Sequence, residues 1–158
     1  RQGYTRSGFT PVVTTSHVCR VLASARAFYE QVLQMGVLID EEISAAAVNA
    51  FLRIPEGGRT HLTFMQGGHM FGKIALSEPL NYADACVDVA ARAHAPNIGY
   101  LAQAFEVNDL AAAFDAALRL HAPVMMPRLS GLVPGVGEAA QFMVRNPGSG
   151  ALQWLYSR

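Results

Sequence analysis

The sequence has little charge and no excess of either sign. Charged residues make up 15% of the 158 residues, and twelve basic side chains balance twelve acidic ones. A protein that binds nucleic acid or an anionic membrane surface through charge carries a basic patch or stripe, which this balance does not favour. We therefore expect no nucleic-acid partner and no membrane partner.

Long apolar runs and cysteine-rich motifs are also missing. A helix that spans a bilayer needs about 20 consecutive apolar residues, and no run in this chain approaches that length. The two cysteines, Cys19 and Cys86, form no CxxC pair and are too few for a disulfide scaffold. Together with the lack of a visible secretory signal, this favours a cytoplasmic protein with reduced thiols.

Apolar residues, in contrast, are abundant. They form 51% of the chain, which excludes intrinsic disorder for the whole. A chain of 158 residues fits one compact domain, so we expect a single domain over residues 1–158. The high apolar fraction and the zero net charge favour self-association, and we expect a homodimer.

The spacing of apolar residues alternates along the chain between strand-like and helix-like. Apolar residues recur at helical spacing over 22–33 and 110–120, and Asn108 or Asp109 can cap the second helix. The Gly/Pro-rich stretch 129–137 is predicted as a loop, and 80–97 as a linker. The predicted strands are 9–19, 37–43, 48–54, 61–66, 70–76, 100–107, 123–127, 139–145 and 151–156.

A repeated unit relates the two halves of the sequence. The helix that starts at Leu22-Ala23-Ser24-Ala25 resembles the one at Leu110-Ala111-Ala112-Ala113, at an offset of 88 residues. Each helix follows a predicted strand and precedes several more. We infer two similar modules, at about 10–79 and 98–158. Each sheet then has one face covered by its helix and one face free.

Three segments resemble a known group of proteins. The segment Cys19–Met35, which contains Phe28-Tyr29, resembles the first helix of the vicinal oxygen chelate superfamily. This superfamily comprises the glyoxalases, bleomycin-resistance proteins and extradiol dioxygenases. Phe105–Leu110 resembles the start of its second module, and Phe142–Gln153 resembles its closing hairpin. The resemblance implies an α+β fold of two βαβββ modules, whose mixed sheets curl into a cup with the helices on the outer faces.

The resemblance also indicates where a metal would bind. Active members of the superfamily place ligands at four inward strand positions, which match Thr14, His61, Ala102 and Gln153 here. We expect these four side chains to converge on one cavity. Because divalent metals prefer imidazoles and carboxylates, only His61 is a good ligand, and we expect no cofactor. The alternative is a divalent metal (Fe, Mn, Ni or Zn) held by His17 or His61 with Glu106.

Two side chains are candidates for acid–base chemistry. His61 is the first, because small changes in the surroundings of an imidazole in an apolar cup move its pKa across neutrality. Glu138 is the second, because it ends the predicted loop 129–137 and its carboxylate would overhang the cup. His17 is expected to point toward the helix side.

Other side chains are candidates for lining the cup. Glu106 is expected to share the inward face with Ala102, where small residues leave room for a ligand. Met65 is a candidate because methionine adapts to varied apolar surfaces. Trp154 alternates with Gln153 and is therefore expected to face the helix layer.

Three functions remain open at this point. The first is a metal-free protein of the glyoxalase, bleomycin-resistance and dioxygenase type that binds a small apolar or aromatic molecule in the cup. The second is a metal-dependent lyase, isomerase or ring-cleaving dioxygenase of the same superfamily. The third is a metal-free lyase or isomerase with His61 as general base. In the first, the ligand-binding residues are Thr14, Ala102, Gln153, Glu106 and Met65.

Overall fold

The fold consists of eight strands and three α-helices within the part of the chain that the structure describes. This is a computed structural model, and it describes residues 12–94, 96–97, 99 and 101–158. Two short 3₁₀ turns, Ala83–Ala85 and Ala90–Arg92, follow the fourth strand. The elements are β1 (Thr14–Val18), α1 (Leu22–Gln31), β2 (Gly36–Ile43), α2 (Ala46–Leu52), β3 (Thr60–Gln66), β4 (Lys73–Pro79), β5 (Ala102–Glu106), α3 (Leu110–Arg119), β6 (Val124–Val133), β7 (Gly137–Arg145) and β8 (Leu152–Ser157).

The strands form two four-stranded mixed sheets with the same topology. Sheet 1 has the order β1-β4-β3-β2, and sheet 2 has the order β5-β8-β7-β6. In sheet 1, β1 is parallel to its neighbour β4, and in sheet 2, β5 is parallel to its neighbour β8. The other neighbouring strands are antiparallel. The predicted α+β fold of two βαβββ modules is therefore confirmed.

By contacts, the chain divides into two compact units. The first contains the described residues up to Leu22 together with Gln34–Cys86, and the second contains Ala23–Leu33 and Val87–Arg158. Most of α1 therefore belongs to the unit that holds sheet 2. None of the helices in the described ranges has the length and apolar character that a membrane crossing requires.

The two long helices pack on one face of sheet 2. From α1, the buried Tyr29 hydroxyl donates a hydrogen bond to Gln103 Oε1 at 3.4 Å. From α3, the Phe114 ring meets the Phe142 ring edge to face, with centroids 5.0 Å apart. Asp109 caps α3, since its carboxylate accepts a hydrogen bond from the Ala112 amide at 2.9 Å. The helical spacing in the sequence thus predicts both helices correctly.

The predicted strand at 48–54 is wrong, because this segment forms the helix α2. A short apolar run fits a strand or a helix equally well, and the alanines around Val48 favour the helix. The helix ends at Leu52 and is capped by Arg53, whose φ of 56° is left-handed. The buried Asn49 side chain then donates a hydrogen bond to the Gly58 carbonyl at 2.8 Å and holds the following turn.

The predicted loop at 129–137 is also wrong. Strand β6 continues to Val133, and β7 begins at Gly137, so the two strands are joined by a tight turn. Pro127 does not end β6, because an edge strand tolerates proline and this one contains two register shifts. Glu138 consequently lies within β7, paired with Leu132, and does not overhang the sheet from a loop.

The remaining predicted strands are present with shifted ends. The strand predicted at 70–76 begins three residues later, at Lys73, and residues 9–11 of the first predicted strand lie outside the described residues. Tyr100 also lies outside them. The linker predicted at 80–97 contains the two 3₁₀ turns. The division into modules at 10–79 and 98–158 stays a prediction, since most of α1 groups with sheet 2.

The two cysteines differ in their environment, which predicts different reactivity. Cys19 is buried, and desolvation, followed by the charge of Glu78, raises the pKa of its thiol to about 12. Cys86 is exposed. Because the thiolate is the reactive form, we expect iodoacetamide to alkylate Cys86 alone in the native protein and both thiols after denaturation, as read by mass spectrometry. Rapid alkylation of native Cys19 would contradict the burial of its side chain.

Candidate functional site

The register of sheet 1 decides which of its predicted site residues lie together. Residues paired across neighbouring strands share a face, and successive residues alternate between faces. His17 pairs with Leu76, which pairs with Thr63, so His17 lies on the face of Thr63 and of His61, two residues earlier. Thr14 lies on the opposite face. The structure therefore does not bring Thr14 and His61 together, and places His17 and Met65 on the face of His61.

The separation of Thr14 from His61, which were expected to lie together, has a simple origin. The superfamily pattern places its metal position on the last strand of each module, whereas His61 lies on β3, the strand before the last. With the segment 48–54 predicted as a strand, 61–66 is the third predicted strand after the first helix, which is where a βαβββ module would end. The strand that pairs directly with β1 is β4.

His61 forms a hydrogen-bonded pair with an aspartate that the sequence did not indicate. Its Nε2 lies 2.7 Å from Asp40 Oδ1, and Thr63 Oγ1 donates to the same oxygen at 2.9 Å. The side chains of His61 and Asp40 are 39% and 36% exposed. A carboxylate bonded to one ring nitrogen orients the imidazole and leaves the other nitrogen for proton transfer. Asp40 was missed because only the pairing of β2 with β3 brings it to His61.

A neighbouring carboxylate on β2, that of Glu42, is already paired. Arg59 donates two hydrogen bonds to the carboxylate of Glu42, at 2.6 and 2.8 Å. These bonds lower the pKa of Glu42, which is therefore ionised at neutral pH. Glu42 pairs in register with His61 and adds negative charge beside it.

His17 is buried, and its burial predicts that the stability of the fold decreases in acid. Burial lowers the pKa of its imidazole below 6.5, so the unfolded chain binds a proton at a higher pH than the folded chain. The free energy of unfolding therefore decreases as the pH falls from about 6.5 to the lower pKa that His17 has in the folded protein. We expect the free energy of unfolding in urea to be smaller at about pH 5.5 than at about pH 7.5, and His17→Gln to reduce this difference. An unchanged difference in the variant would contradict the assignment.

In sheet 2 the register separates Ala102 from Gln153. Ala102 pairs with Leu152, whereas Gln153 pairs with Gln103 on the face that α1 and α3 cover. Gln153 is fully buried there, and its Oε1 has no hydrogen-bond partner in the part of the chain that the structure describes. The expected cavity shared by Ala102 and Gln153 is therefore not formed. Alternation shows which residues share a face, and it does not show which face the helices cover.

The other face of sheet 2 carries Trp154, so the expectation that Trp154 faces the helices is wrong. Its indole Nε1 donates a 2.8 Å hydrogen bond to Gln141 Oε1, which fixes the orientation of the ring. We call this surface the Trp154 face. By register it comprises Ala102, Ala104 and Glu106 of β5, Leu152, Trp154 and Tyr156 of β8, Gln141, Met143 and Arg145 of β7, and Met126, Leu129 and Gly131 of β6.

The Trp154 face combines large adaptable side chains with small ones. Trp154 lies between Ala104 of β5 and Met143 of β7 in register, so one flank of the indole is a methyl group. Trp154 and Met143 are half-buried. A Cβ at Gly131 would lie 3.1 Å from Gln141 Nε2, so glycine at 131 leaves room for the amide that orients Trp154.

The two predicted acidic residues have different positions. Glu106 lies on the Trp154 face, where Arg158 holds its carboxylate through two hydrogen bonds of 2.9 and 2.7 Å. These bonds lower the pKa of Glu106, so it is a carboxylate at neutral pH. Glu138 is exposed and, by register, lies on the same face as Phe142, opposite to the Trp154 face. The structure does not place Glu138 beside His61 on one sheet.

The residues at the superfamily's metal positions do not fit a divalent metal. Ala102 has no donor atom, and Thr14 lies on the opposite face of sheet 1 from His61. Within the described ranges, no three His, Cys, Asp or Glu side chains lie together in a way that could hold a metal ion. A divalent metal requires three or four such donors, so we derive no chemistry through one.

Solved structures share this architecture, although no protein-family model and no curated protein matches the sequence. A glyoxalase family protein from Bacillus cereus matches over 97% of both chains with a TM-score of 0.78 and 16% identity. A glyoxalase/bleomycin resistance protein/dioxygenase family enzyme from Burkholderia phytofirmans matches 94% of this chain and 98% of its own, with a TM-score of 0.56 and 12% identity. The chain has the vicinal oxygen chelate fold.

The same fold is found in a larger enzyme. Glyoxalase I from Zea mays matches 94% of this chain, with a TM-score of 0.62 and 15% identity, but only 44% of the maize chain is covered. Identities of this size establish the vicinal oxygen chelate fold and not the activity, because one fold supports many functions. The function must therefore be argued from the side chains of this chain.

Proposed function

We propose that this protein binds a small, flat, largely apolar molecule with an aromatic ring on the Trp154 face. The observation that carries the proposal is the Trp154 indole, oriented by Gln141 and flanked by the small Ala104. Aromatic rings that stack or meet edge to face gain about 0.5–1.5 kcal/mol beyond the burial of their area. An indole whose polar N–H is already satisfied offers its ring for such a contact.

The neighbours of Trp154 suit an apolar ligand of modest size. Ala102 and Ala104 leave space on β5, and Met143 and Met126 adapt to the shape of a bound ring. Tyr156 adds a second half-buried aromatic ring in the next row of the face. Ligand pockets are commonly lined in this way, with many apolar side chains and few polar ones.

The proposal is tested by filling the space beside the indole. We expect 2-naphthol to bind the wild-type protein in calorimetry and Ala104→Leu to abolish this binding, because the larger side chain occupies the flank of Trp154. Ala47→Leu, at an exposed position on α2, is the matched control and should bind as the wild type does. Equal binding by Ala104→Leu, or no binding by the wild type, would contradict the proposal.

A second candidate function rests on the His61–Asp40 pair. We propose a metal-free lyase or isomerase in which His61 removes a proton and Asp40 holds its ring in place. The test is the exchange of carbon-bound protons of hydroxyacetone in heavy water, followed by NMR. Exchange faster than in buffer, lost in His61→Gln and reduced in Asp40→Asn, supports this role. Exchange at the buffer rate by the wild type overturns it.

The proposed binding needs no metal ion. This proposal rests on the side chains present: Ala102 has no donor atom, and within the described residues no three His, Cys, Asp or Glu side chains lie together as a divalent metal prefers. Elemental analysis of protein purified without chelator tests it. Stoichiometric Fe, Mn, Ni or Zn would favour the metal-dependent lyase, isomerase or dioxygenase instead.

We also propose that the protein is a cytoplasmic homodimer. Large apolar side chains remain exposed on the described surface, among them Phe51 at 85% and Leu132 at 70%. Exposed apolar area of this kind favours association between copies. Light scattering at micromolar concentration should give twice the chain mass of 17.0 kDa, and a monomer mass would contradict the proposal.

A further inference from the structure

Arg145 lies at one end of the Trp154 face. It pairs in register with Leu152, which in turn pairs with Ala102, so these three side chains form one row of the face. The next row contains Met143 and Trp154. Arg145 and Met143 are two residues apart on β7, which is about 7 Å along a strand.

Among the described residues, the guanidinium of Arg145 donates hydrogen bonds only to backbone carbonyls. Its Nη1 donates to the Gly150 carbonyl at 2.8 Å, and its Nη2 donates to the Ala93 carbonyl at 3.3 Å. The side chain is half-buried, and no carboxylate lies within ion-pair distance of it among the described residues. Other arginines in the described part of the chain have such a partner, among them Arg26 with Glu30, Arg59 with Glu42, and Arg158 with Glu106.

This arrangement leaves a positive charge, with no counter-ion among the residues that the structure describes, in the row next to Trp154. A guanidinium stays protonated in proteins and has five N–H donors, of which the two carbonyls use two. The bonds to Gly150 and Ala93 fix the group in place, so little further ordering is needed when an anion binds. Carboxylates are bound well by guanidinium groups because the two planar groups match in geometry.

We propose that the ligand of the Trp154 face is an aromatic carboxylic acid, whose ring contacts Trp154 and whose carboxylate pairs with Arg145. The proposal rests on the function proposed above and names the substrate class of the same site. The spacing of about 7 Å between the rows of Met143 and Arg145 matches a flat ring that carries a carboxylate at one edge. Arg145 then sets both the orientation of the ligand and the preference for acids.

Two probes that share a ring separate this inference from the proposed function. The pair is 2-naphthoate and 2-naphthol, measured by calorimetry on the wild-type protein. We expect 2-naphthoate to bind about tenfold tighter than 2-naphthol, because its carboxylate forms a charge-assisted hydrogen bond with Arg145. We expect added NaCl to weaken the binding of 2-naphthoate only, because salt screens the ion pair. Acetate, which lacks the ring, should not compete.

Substitutions test whether Arg145 causes the preference for 2-naphthoate over 2-naphthol. Arg145→Gln should remove the tenfold preference for 2-naphthoate over 2-naphthol, whereas Arg145→Lys should retain part of it. Arg128→Gln, at an exposed arginine of β6, is the matched control and should keep the full preference. If Arg145→Gln unfolds, the salt dependence of the wild-type protein decides the question alone.

The possible failures are distinct. Equal affinity of the wild type for the two probes, or an equal preference in wild type and Arg145→Gln, overturns the inference and leaves the proposed function standing. Binding of neither probe overturns both.

Discussion

Asn146→Ala is expected to lower the free energy of unfolding by about 3 kcal/mol, which for a chain of this size lowers the melting temperature by about 6 to 12 °C. Asn146 is buried in the turn between β7 and β8. Its Oδ1 accepts hydrogen bonds from the amides of Gly148 and Ser149, at 2.9 and 3.0 Å. Its Nδ2 donates to the Ala25 carbonyl of α1 at 3.0 Å. One side chain thus shapes the closing hairpin and ties it to the helix.

Two further variants are compared with Asn146→Ala: a conservative change at the same position and a control at an exposed asparagine. Asn146→Asp keeps the oxygen that accepts from the turn but places a carboxylate oxygen against the Ala25 carbonyl, so it should also destabilise the fold. Asn108→Ala, at an exposed asparagine, should change stability by less than about 0.5 kcal/mol. Thermal and urea unfolding measure all three variants. A stability of Asn146→Ala equal to that of the control would contradict the described contact between α1 and the hairpin.

Trp154→Ala is expected to weaken the binding of 2-naphthol by a factor of about 30 or more, which corresponds to about 2 kcal/mol. The loss follows from the removal of the ring that the ligand contacts. Trp154→Phe keeps an aromatic face but loses the hydrogen bond to Gln141. We expect its affinity to lie between those of the wild type and Trp154→Ala.

The control for this prediction is an aromatic residue in the other unit. Phe51→Ala removes a ring that is 85% exposed on α2 and should leave the affinity for 2-naphthol unchanged. Circular dichroism establishes that each variant is folded before calorimetry. If the wild type and Trp154→Ala bind 2-naphthol with equal affinity, the Trp154 face is not the binding surface.

The sequence predicts the architecture well because its signals are local or repeated. The helical spacing of Leu22 to Leu33 and of Leu110 to Leu120 depends only on neighbouring residues, and the offset between them reveals the repeated module. The structure accordingly gives both sheets the same strand order. Local signals failed at α2, where a short apolar run is ambiguous, and at β6, where Pro127 lies in an edge strand.

The site is harder to predict because it depends on register. Alternation along β8 separates Gln153 from Trp154, but only the pairing with β5 and β7 and the positions of the helices show which of them is buried. The same limit applies to Asp40, which meets His61 through the pairing of β2 with β3. Arg145 is one arginine among several in the sequence, and only the fold shows that no carboxylate of the described ranges pairs with it.

The central claim is that an aromatic ligand contacts Trp154, and the indole N–H signal in a ¹H–¹⁵N NMR spectrum tests it most directly. Trp154 is the only tryptophan, so the spectrum contains one such signal and needs no further assignment. The ring current of a bound naphthalene shifts the signal of an indole that it contacts. We predict that 2-naphthol shifts this signal in proportion to the occupancy measured by calorimetry. Binding by calorimetry while the indole signal stays in place would contradict the claim.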